Sequence, residues 1–415
     1  MFSGAGGLTF GFYYRKKDNR FVRNRKNHII FANEIDEHAA KAFIQNYSDI
    51  KMLNQDIKNL SDEKINELMG KDPVDLIIGG PPCQPFSTVG RRVFDEKATL
   101  YEEYARILRI VRPKMFLFEN VRGILSMREA IYKKDKEGNI VFRGESNENK
   151  KKRPRPEVES YGRLLIDIIK EKFKIIDNDL GYTIHQKVLN AVDYGVPENR
   201  ERVFIVGVRN DLTDIKWDYP KAKKGEKLSI KDAISDLPPI EEGQEKTEYS
   251  MEPTNEYQKL MRIGNKQITF HYCGIYGEKM RTVIRNVKQG QGKEDFNALV
   301  DAGVVSKDYY LTSGYPNTYG RLIESQPCTT ITNNLSTPSG LRCIHYEQNR
   351  ALTPREGARI QSFPDWFQFE GSKDQVTSQI GNAVPPLLAM AFAKQIESVL
   401  RRTERSSGMC TIGRK

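Results

Sequence analysis

Apolar and polar positions follow two alternating regimes along the first half of the chain. Short apolar runs rich in β-branched and aromatic residues recur at "HIIFANE" (28–34), "VDLIIGG" (74–80), "KMFLFEN" (114–120), "YTIHQKVLNA" (182–191) and "RVFIVGV" (202–208). Between them, segments such as "DEHAAKAFIQNY" and "LYEEYARILRIV" place apolar residues at helical spacing. Runs too short to be buried helices, separated by helical patterns, predict strands joined by crossover helices. The expected fold over 1–208 is α/β, with a mostly parallel sheet covered by helices on both faces.

The pattern breaks in three places. Residues 133–160 are polar, charged and rich in Lys, Asn and Pro, which predicts a mobile surface insertion; its basic run 150–153 reads as solvated rather than bound to phosphate. Over 209–348 the alternation fades into scattered Gly, Tyr, Asn, Lys and Arg, the composition of a smaller, loop-rich module that touches a ligand. Helical spacing returns over 349–402, opened by Thr353 as N-cap and Pro354 at the first helical position, and these helices are expected to pack back on the first domain. The basic tail 403–415 is too poor in apolar residues to fold alone and is expected to be disordered.

A chain of 415 residues suits two domains. Its 66 Lys and Arg against 55 Asp and Glu give a net charge of +11, which favours a polyanionic partner, nucleic acid first. Five cysteines without any CxxC argue against a disulfide framework and fit a reducing cytoplasm. The short pairs His271/Cys273 and Cys343/His345 match no common zinc-finger spacing, so no metal is expected. No apolar run approaches the ~20 residues that cross a bilayer, and "MFSGAGG" lacks the features of an export signal. A cytoplasmic protein without a membrane partner is expected.

Candidate chemistry begins with the glycine-rich turn "FSGAGGLTFGF", where Gly4, Gly6 and Gly7 let a ligand approach the backbone at a helix start. Glu34 and Asp56 follow at successive strand ends, where an acid meets ribose hydroxyls in nucleoside-binding sheets; either acid also suits a helix cap. The run "GGPPCQPFS" (79–87) then places Cys83 among prolines directly after a strand, as either a small buried hydrophobe or a nucleophile.

With "FENV" (118–121), "PENRERVFIVG" (197–207), "RALTPREGARIQSFP" and "QIGNAVPP", these motifs stand in an order that resembles the DNA (cytosine-5) methyltransferase family of bacterial restriction-modification type, over almost the whole chain. The resemblance implies a Rossmann-like S-adenosylmethionine-dependent fold, with 209–348 as target-recognition domain. It makes Cys83 the nucleophile that adds to cytosine C6, its flanking prolines keeping the sulfur aimed. Glu119 becomes the acid at ring N3, Arg202 the donor to the O2 edge and Arg200 its structural companion, both offering planar donor forks. The implied cofactor is S-adenosyl-L-methionine, leaving as S-adenosyl-L-homocysteine, on Phe2, Gly4, Gly6, Glu34, Ile35, Asp56, Pro82 and Asn382. The substrate is double-stranded DNA whose base leaves the stack, with 87–99 as lid and Arg91 and Arg92 on phosphates. A monomer on DNA is implied, with a cognate restriction endonuclease in the same system but no stable complex.

Three departures from the family pattern stand out. The strand that precedes the glycine loop is missing upstream of Met1, which suggests a start placed too far downstream, a truncation, or a strand supplied by a second chain. Glu198 replaces the usual Gln, and the 133–160 insertion follows the Glu-Asn-Val motif. Two other readings stay open: an RNA cytosine-5 methyltransferase of the same fold, and a catalytically idle DNA-binding subunit of a split methyltransferase. A nicotinamide-dependent dehydrogenase leaves the Pro-Cys loop unexplained.

Overall fold

The computed structural model describes residues 1–71, 73–82, 99–143, 155–177, 180–213 and 215–412. Helix α1 (Gly7–Tyr13) starts from Gly6, whose φ of 101° is left-handed. Strands β1 (Tyr14–Lys17) and β2 (Arg20–Arg23) form a hairpin whose two turn residues, Asp18 and Asn19, have φ of 49° and 54°, the sign a two-residue type I′ turn requires. Next come β3 (Phe31–Glu34), α2 (Glu37–Asn46) and β4 (Lys51–Asn54), with β3 and β4 parallel and α2 capped by Asp36, which accepts from the Ala39 N–H at 2.7 Å. Helix α3 (Asp62–Met69) follows an N-cap at Ser61.

Strand β5 (Leu76–Gly79), helix α4 (Leu100–Val111) and β6 (Met115–Val121) run in chain order, with β5 and β6 parallel. The buried stripe of α4 includes Tyr104, whose ring meets Phe116, Phe118 and Phe173 and whose hydroxyl donates to the Leu117 carbonyl at 3.0 Å. Four extended segments follow: β7 (Arg128–Tyr132), β8 (Phe142–Arg143), β9 (Arg155–Pro156) and β10 (Val158–Leu164). β7 pairs antiparallel with β10, and β8 with β9, so the described part of 133–160 is a pair of ribbons rather than an unstructured insertion; 150–153 lies outside the described residues. Backbone pairing supplies what the apolar content of this segment does not.

Helix α5 (Leu165–Lys174), β11 (Tyr182–Asn190) and β12 (Glu201–Arg209) complete a four-stranded sheet of order β11-β12-β6-β5. Strand β12 runs antiparallel to β6, whereas β5 runs parallel to it. Strands expected in one mostly parallel sheet thus fall in two sheets, with parallel pairing at β3/β4 and β5/β6.

Beyond β12 come α6 (Ile230–Ile234), α7 (Glu256–Arg262), α8 (Glu278–Asn286), α9 (Lys293–Asp301), α10 (Pro354–Ile360), α11 (Lys373–Asn382) and α12 (Pro386–Ile412). α8 and α9 enclose a small core of Val283, Val287, Phe296, Val300, Leu311 and Tyr319. Thr353 caps α10 in a capping box with Glu356, and Pro354 occupies its first turn, as the sequence predicts. The tail does not follow expectation, since α12 continues to Ile412.

The chain forms two compact units that interleave in sequence instead of dividing at residue 208. One comprises Met1–Leu60, Leu189–Glu201 and Asp214–Lys415; the other comprises Ser61–Val188 and Arg202–Thr213. In the first, α12 packs along α1. A Cβ on Gly7 would sit 2.5 Å from the Val384 carbonyl oxygen, and one on Gly11 would collide with the Ala389 backbone, so this pair of glycines sets how closely the helices approach.

Candidate active site

In the first unit, the glycine turn is held from both sides. The Tyr47 hydroxyl donates to the Gly6 carbonyl at 2.7 Å, and its ring fills the place where a Cβ on Gly6 would stand. Glu34, at the end of β3, accepts from the Gly4 N–H on Oε2 (2.8 Å) and from the Ile35 and Asp36 N–H groups on Oε1 (both 3.0 Å). Burial raises the pKa of this carboxyl, and the three backbone donors oppose that rise. Its Oε2 keeps acceptor capacity beyond the Gly4 bond. Phe2 (φ 51°) and Gly4 (φ 53°) are left-handed, and the space a Cβ on Gly4 would enter is open. Ile35 beside Glu34 is 62% exposed.

An acceptor carboxylate, a backbone with room above Gly4 and an exposed apolar side chain fit a ligand that carries both hydroxyls and a flat apolar part, as a nucleoside does. Asp56 caps the short turn Ile57–Asn59 by accepting from the Lys58 N–H at 2.9 Å, and exposed Asn382 donates to Ser378 Oγ at 3.2 Å at the end of α11. Each thus makes the local contact expected of its residue type.

The second unit brings Glu119 and Arg202 together. Glu119 on β6 is buried, and the antiparallel register sets Val121 opposite Arg202 and Glu119 opposite Phe204. Arg202 Nε lies 3.2 Å from Glu119 Oε1. A Cβ on Gly80 would come within 2.7 Å of Glu119 Oε2, so this glycine makes room for the carboxylate. Asn120 donates its side-chain amide to the Pro81 carbonyl at 3.2 Å, which ties β6 to the chain entering the Pro-Cys loop; Pro82 is half-buried there. Cys83 itself, most of the proposed lid 87–99, and Arg91 and Arg92 lie outside the described residues.

Arg200 differs from its grouping with the substrate-facing residues. It is 1% exposed in the first unit, donating to the carbonyls of Ile331 (2.9 Å), Gly381 (2.7 Å) and Ala383 (2.9 Å), with Glu198 Oε1 at 3.6 Å. Alternate side chains on a strand point to opposite faces, but Arg200 precedes β12 and follows the course of the link, so the Arg-x-Arg spacing does not put both guanidiniums in one place. Glu198 also accepts from the Ile331 N–H at 2.6 Å. Sequence reasoning missed Gly80, Tyr47 and Gly381. The only signal for Gly80 was the doubled glycine before "PPC".

The residues weighed for zinc are engaged otherwise. His271 is fixed between Thr353 Oγ1 (3.0 Å) and the Pro238 carbonyl (2.8 Å), and the Cys343 thiol donates to the Thr337 carbonyl at 2.9 Å. Among the described residues, no helix is long and apolar enough to cross a membrane.

One unit thus holds a glycine turn bonded to the Glu34 carboxylate, and the other a Glu119–Arg202 pair on adjacent strands. The model of the C-5 cytosine-specific DNA methylase family matches residues 1–137 and 161–398, and the chain belongs to that family; it is a DNA cytosine-5 methyltransferase. The family as a whole depends on S-adenosylmethionine.

The chain is 32% identical to the type II methyltransferase M.DdeI of Desulfomicrobium norvegicum, over 95% of this chain and 87% of that protein. It is 30% identical to M1.HphI of Haemophilus parahaemolyticus, over 95% and 85%. Among solved structures, a prophage-encoded Escherichia coli protein assigned as a DNA modification methyltransferase superposes with a TM-score of 0.66 at 23% identity, over 96% of this chain and 98% of that one. The Entamoeba histolytica methyltransferase EhMeth gives 0.53 at 16% identity, over 96% and 97%. These likenesses bear out the methyltransferase fold.

Proposed function

We propose that the chain methylates C5 of a cytosine flipped out of a specific duplex DNA sequence, through a covalent bond between Cys83 and C6. The observation that carries this reading is the Glu119–Arg202 pair, held at 3.2 Å on adjacent strands with Gly80 leaving space for the carboxylate. A pyrimidine edge presents an acceptor at O2 beside N3, and a guanidinium next to a carboxyl matches that pattern when the carboxyl brings a proton.

In this reading the Cys83 thiolate forms a bond to C6, and the ring's electrons move toward C5 and N3. Glu119 holds a proton at N3, and Arg202 donates to O2, so the charge that develops is met where it forms. S-adenosylmethionine supplies an electrophilic methyl on a sulfonium. Once C5 carries the methyl, loss of the C5 proton to a base returns electrons to the ring and expels the Cys83 thiolate. Gly4, Gly6, Glu34 and Ile35 would hold the cofactor, together with Phe2, Asp56, Pro82 and Asn382. Arg200 acts as a positioning residue, pinning the 331 and 381–383 backbones.

Residues 209–348 are the proposed reader of the target sequence. The type II names of the similar proteins support a place in a restriction-modification system, acting as a monomer on DNA in the cytoplasm beside a separate endonuclease. Membership of a DNA methylase family favours this over an RNA substrate or an idle subunit. The test is per-base mapping of 5-methylcytosine in plasmid DNA incubated with the protein and S-adenosylmethionine. Methylation at one short motif, absent with Cys83→Ser, is the expected result; methylation that survives Cys83→Ser overturns the covalent route.

A further inference from the structure

The stretch 15–26 carries seven basic residues and a single acid, Asp18. The β1–β2 hairpin sorts them by strand alternation. On one face, the Phe21 ring packs edge-on against Phe10 at 5.0 Å and the Tyr14 ring against Trp366 at 5.3 Å, which fixes the hairpin to α1 and to the segment before α11. The opposite face presents Arg15, Lys17 and Val22. With Arg23, Asn24, Arg25 and Lys26 they line an open hollow of about 400 Å³.

The return of the hairpin is equally fixed. Buried Asn24 donates to Glu397 Oε1 at 2.8 Å, and Asn27 donates to the Phe12 carbonyl at 2.8 Å. The charges around the hollow are therefore presented by a rigid frame.

Those charges are poorly compensated. Arg23 meets Asp49 at 3.2 Å, but among the described residues Arg15, Lys17, Arg20, Arg25 and Lys26 have no carboxylate within ion-pair distance. Lys17 stands directly opposite Arg20 in the ladder, a like-charge pair that destabilises a hairpin. A second basic segment adjoins it: Lys223 is lowered in pKa by burial and then by the charge of Lys16, and Lys221 and Lys224 flank it. A fold that holds like charges together on a rigid frame gains most when a polyanion neutralises them.

We propose that this hairpin face is a second phosphate-binding surface, one that grips the backbone of duplex DNA with none of the residues of the proposed active site. The proposal rests on the DNA-methylation reading for the identity of the polyanion, and it concerns affinity and not chemistry. A cluster of exposed basic groups, its hairpin rings Tyr14 and Phe21 turned to the other face against Trp366 and Phe10, suits phosphates rather than unstacked bases.

The test uses the full chain and a combined Arg15→Gln, Lys17→Gln, Arg25→Gln, Lys26→Gln variant, all exposed positions. Binding to a labelled duplex is followed through a salt series, alongside kcat at saturating DNA and thermal melting. The expected result is a log K against log salt slope smaller by about 0.9 per lost contact, roughly three to four in all, with kcat and melting unchanged. An unchanged slope in a variant that still methylates overturns the hairpin assignment alone. Failure of the unaltered protein to bind or methylate duplex DNA overturns the underlying reading as well. Preferential loss of tRNA binding over duplex binding in the variant would make the surface an RNA site and also overturn the proposal.

Discussion

Arg202 Nε lies 3.2 Å from Glu119 Oε1 across the antiparallel pair β12/β6, with both side chains almost wholly withdrawn from solvent. If Glu119 brings a proton to the base, Glu119→Gln keeps the shape and the neighbour but removes the transferable proton. The expected loss in kcat is about 10²- to 10⁴-fold, with DNA affinity kept. Single-turnover methyl transfer alongside equilibrium binding checks it, and a kcat within a few-fold of the unaltered enzyme would remove Glu119 from the chemistry.

Gly80 offers an independent handle on the same carboxylate. In Gly80→Ala the added methyl would stand 2.7 Å from Glu119 Oε2, so one of the two must shift. Because a displacement well under a side-chain length degrades a positioned acid, kcat is expected to fall roughly tenfold to a hundredfold. The strain should cost about 1–3 kcal/mol of stability. Measured kcat and urea unfolding separate the two effects; unchanged kcat would mean that the carboxylate tolerates displacement.

The parts of this fold that could be read in the sequence are those where physics leaves a pattern. Met115, Phe116, Leu117 and Phe118 are buried on both sheet faces and therefore appear as a continuous apolar run. Thr353 and Glu356 announce α10 because a capping box needs those types at that spacing. Glu34, Glu119 and Arg202 were legible only through motif context, since one carboxylate or guanidinium in isolation reads equally well as a cap or an ion pair. Arg200 was legible as a companion of Arg202 but its partners were not, because they are backbone carbonyls of Ile331, Gly381 and Ala383, far away in sequence and identical in type at every residue. The β1–β2 hairpin was missed because its apolar face holds only Tyr14 and Phe21, one on each strand, among charged residues, too few to show an alternation.

The Arg200 clamp makes a prediction about stability. Arg200→Met leaves three carbonyls short of a donor and takes a buried guanidinium away from Glu198, an arrangement expected to cost about 3–5 kcal/mol. Adding Glu198→Gln removes the carboxylate charge while keeping an oxygen for the Ile331 N–H, so the double variant should recover part of the loss. Urea unfolding of the two single variants and the double gives the cycle. A double variant no more stable than Arg200→Met would show that the carbonyls, and not the ion pair, account for the cost.

The last prediction concerns acid. Burial pushes the His345 pKa down to about 3, against the pull of Glu356; Arg350, Arg321 and His271 add to the drop. Geometry explains why the ring stays neutral: Nδ1 accepts from the Glu347 N–H at 3.1 Å and the Gln348 N–H at 3.0 Å, and a proton there would face two donors. Burial also lowers His271. Glu356 is raised by burial but brought well below the usual carboxylate range by Arg350, so it stays charged throughout the window in which histidines titrate. Since the folded pKa lies below the unfolded value of about 6.5, the folded state binds fewer protons between the two. The stabilisation is complete above about pH 6.5 and drains away as pH falls toward 3. Unfolding free energy should therefore be level near neutrality and decline below about pH 6.5, by up to about 1.4 kcal/mol per pH unit for each histidine involved. His345→Gln keeps an acceptor for the two N–H groups and removes the titration, so its decline should be shallower. Urea midpoints taken between neutrality and the onset of carboxylate titration decide the matter, and equal slopes for the variant and the unaltered protein would exonerate His345.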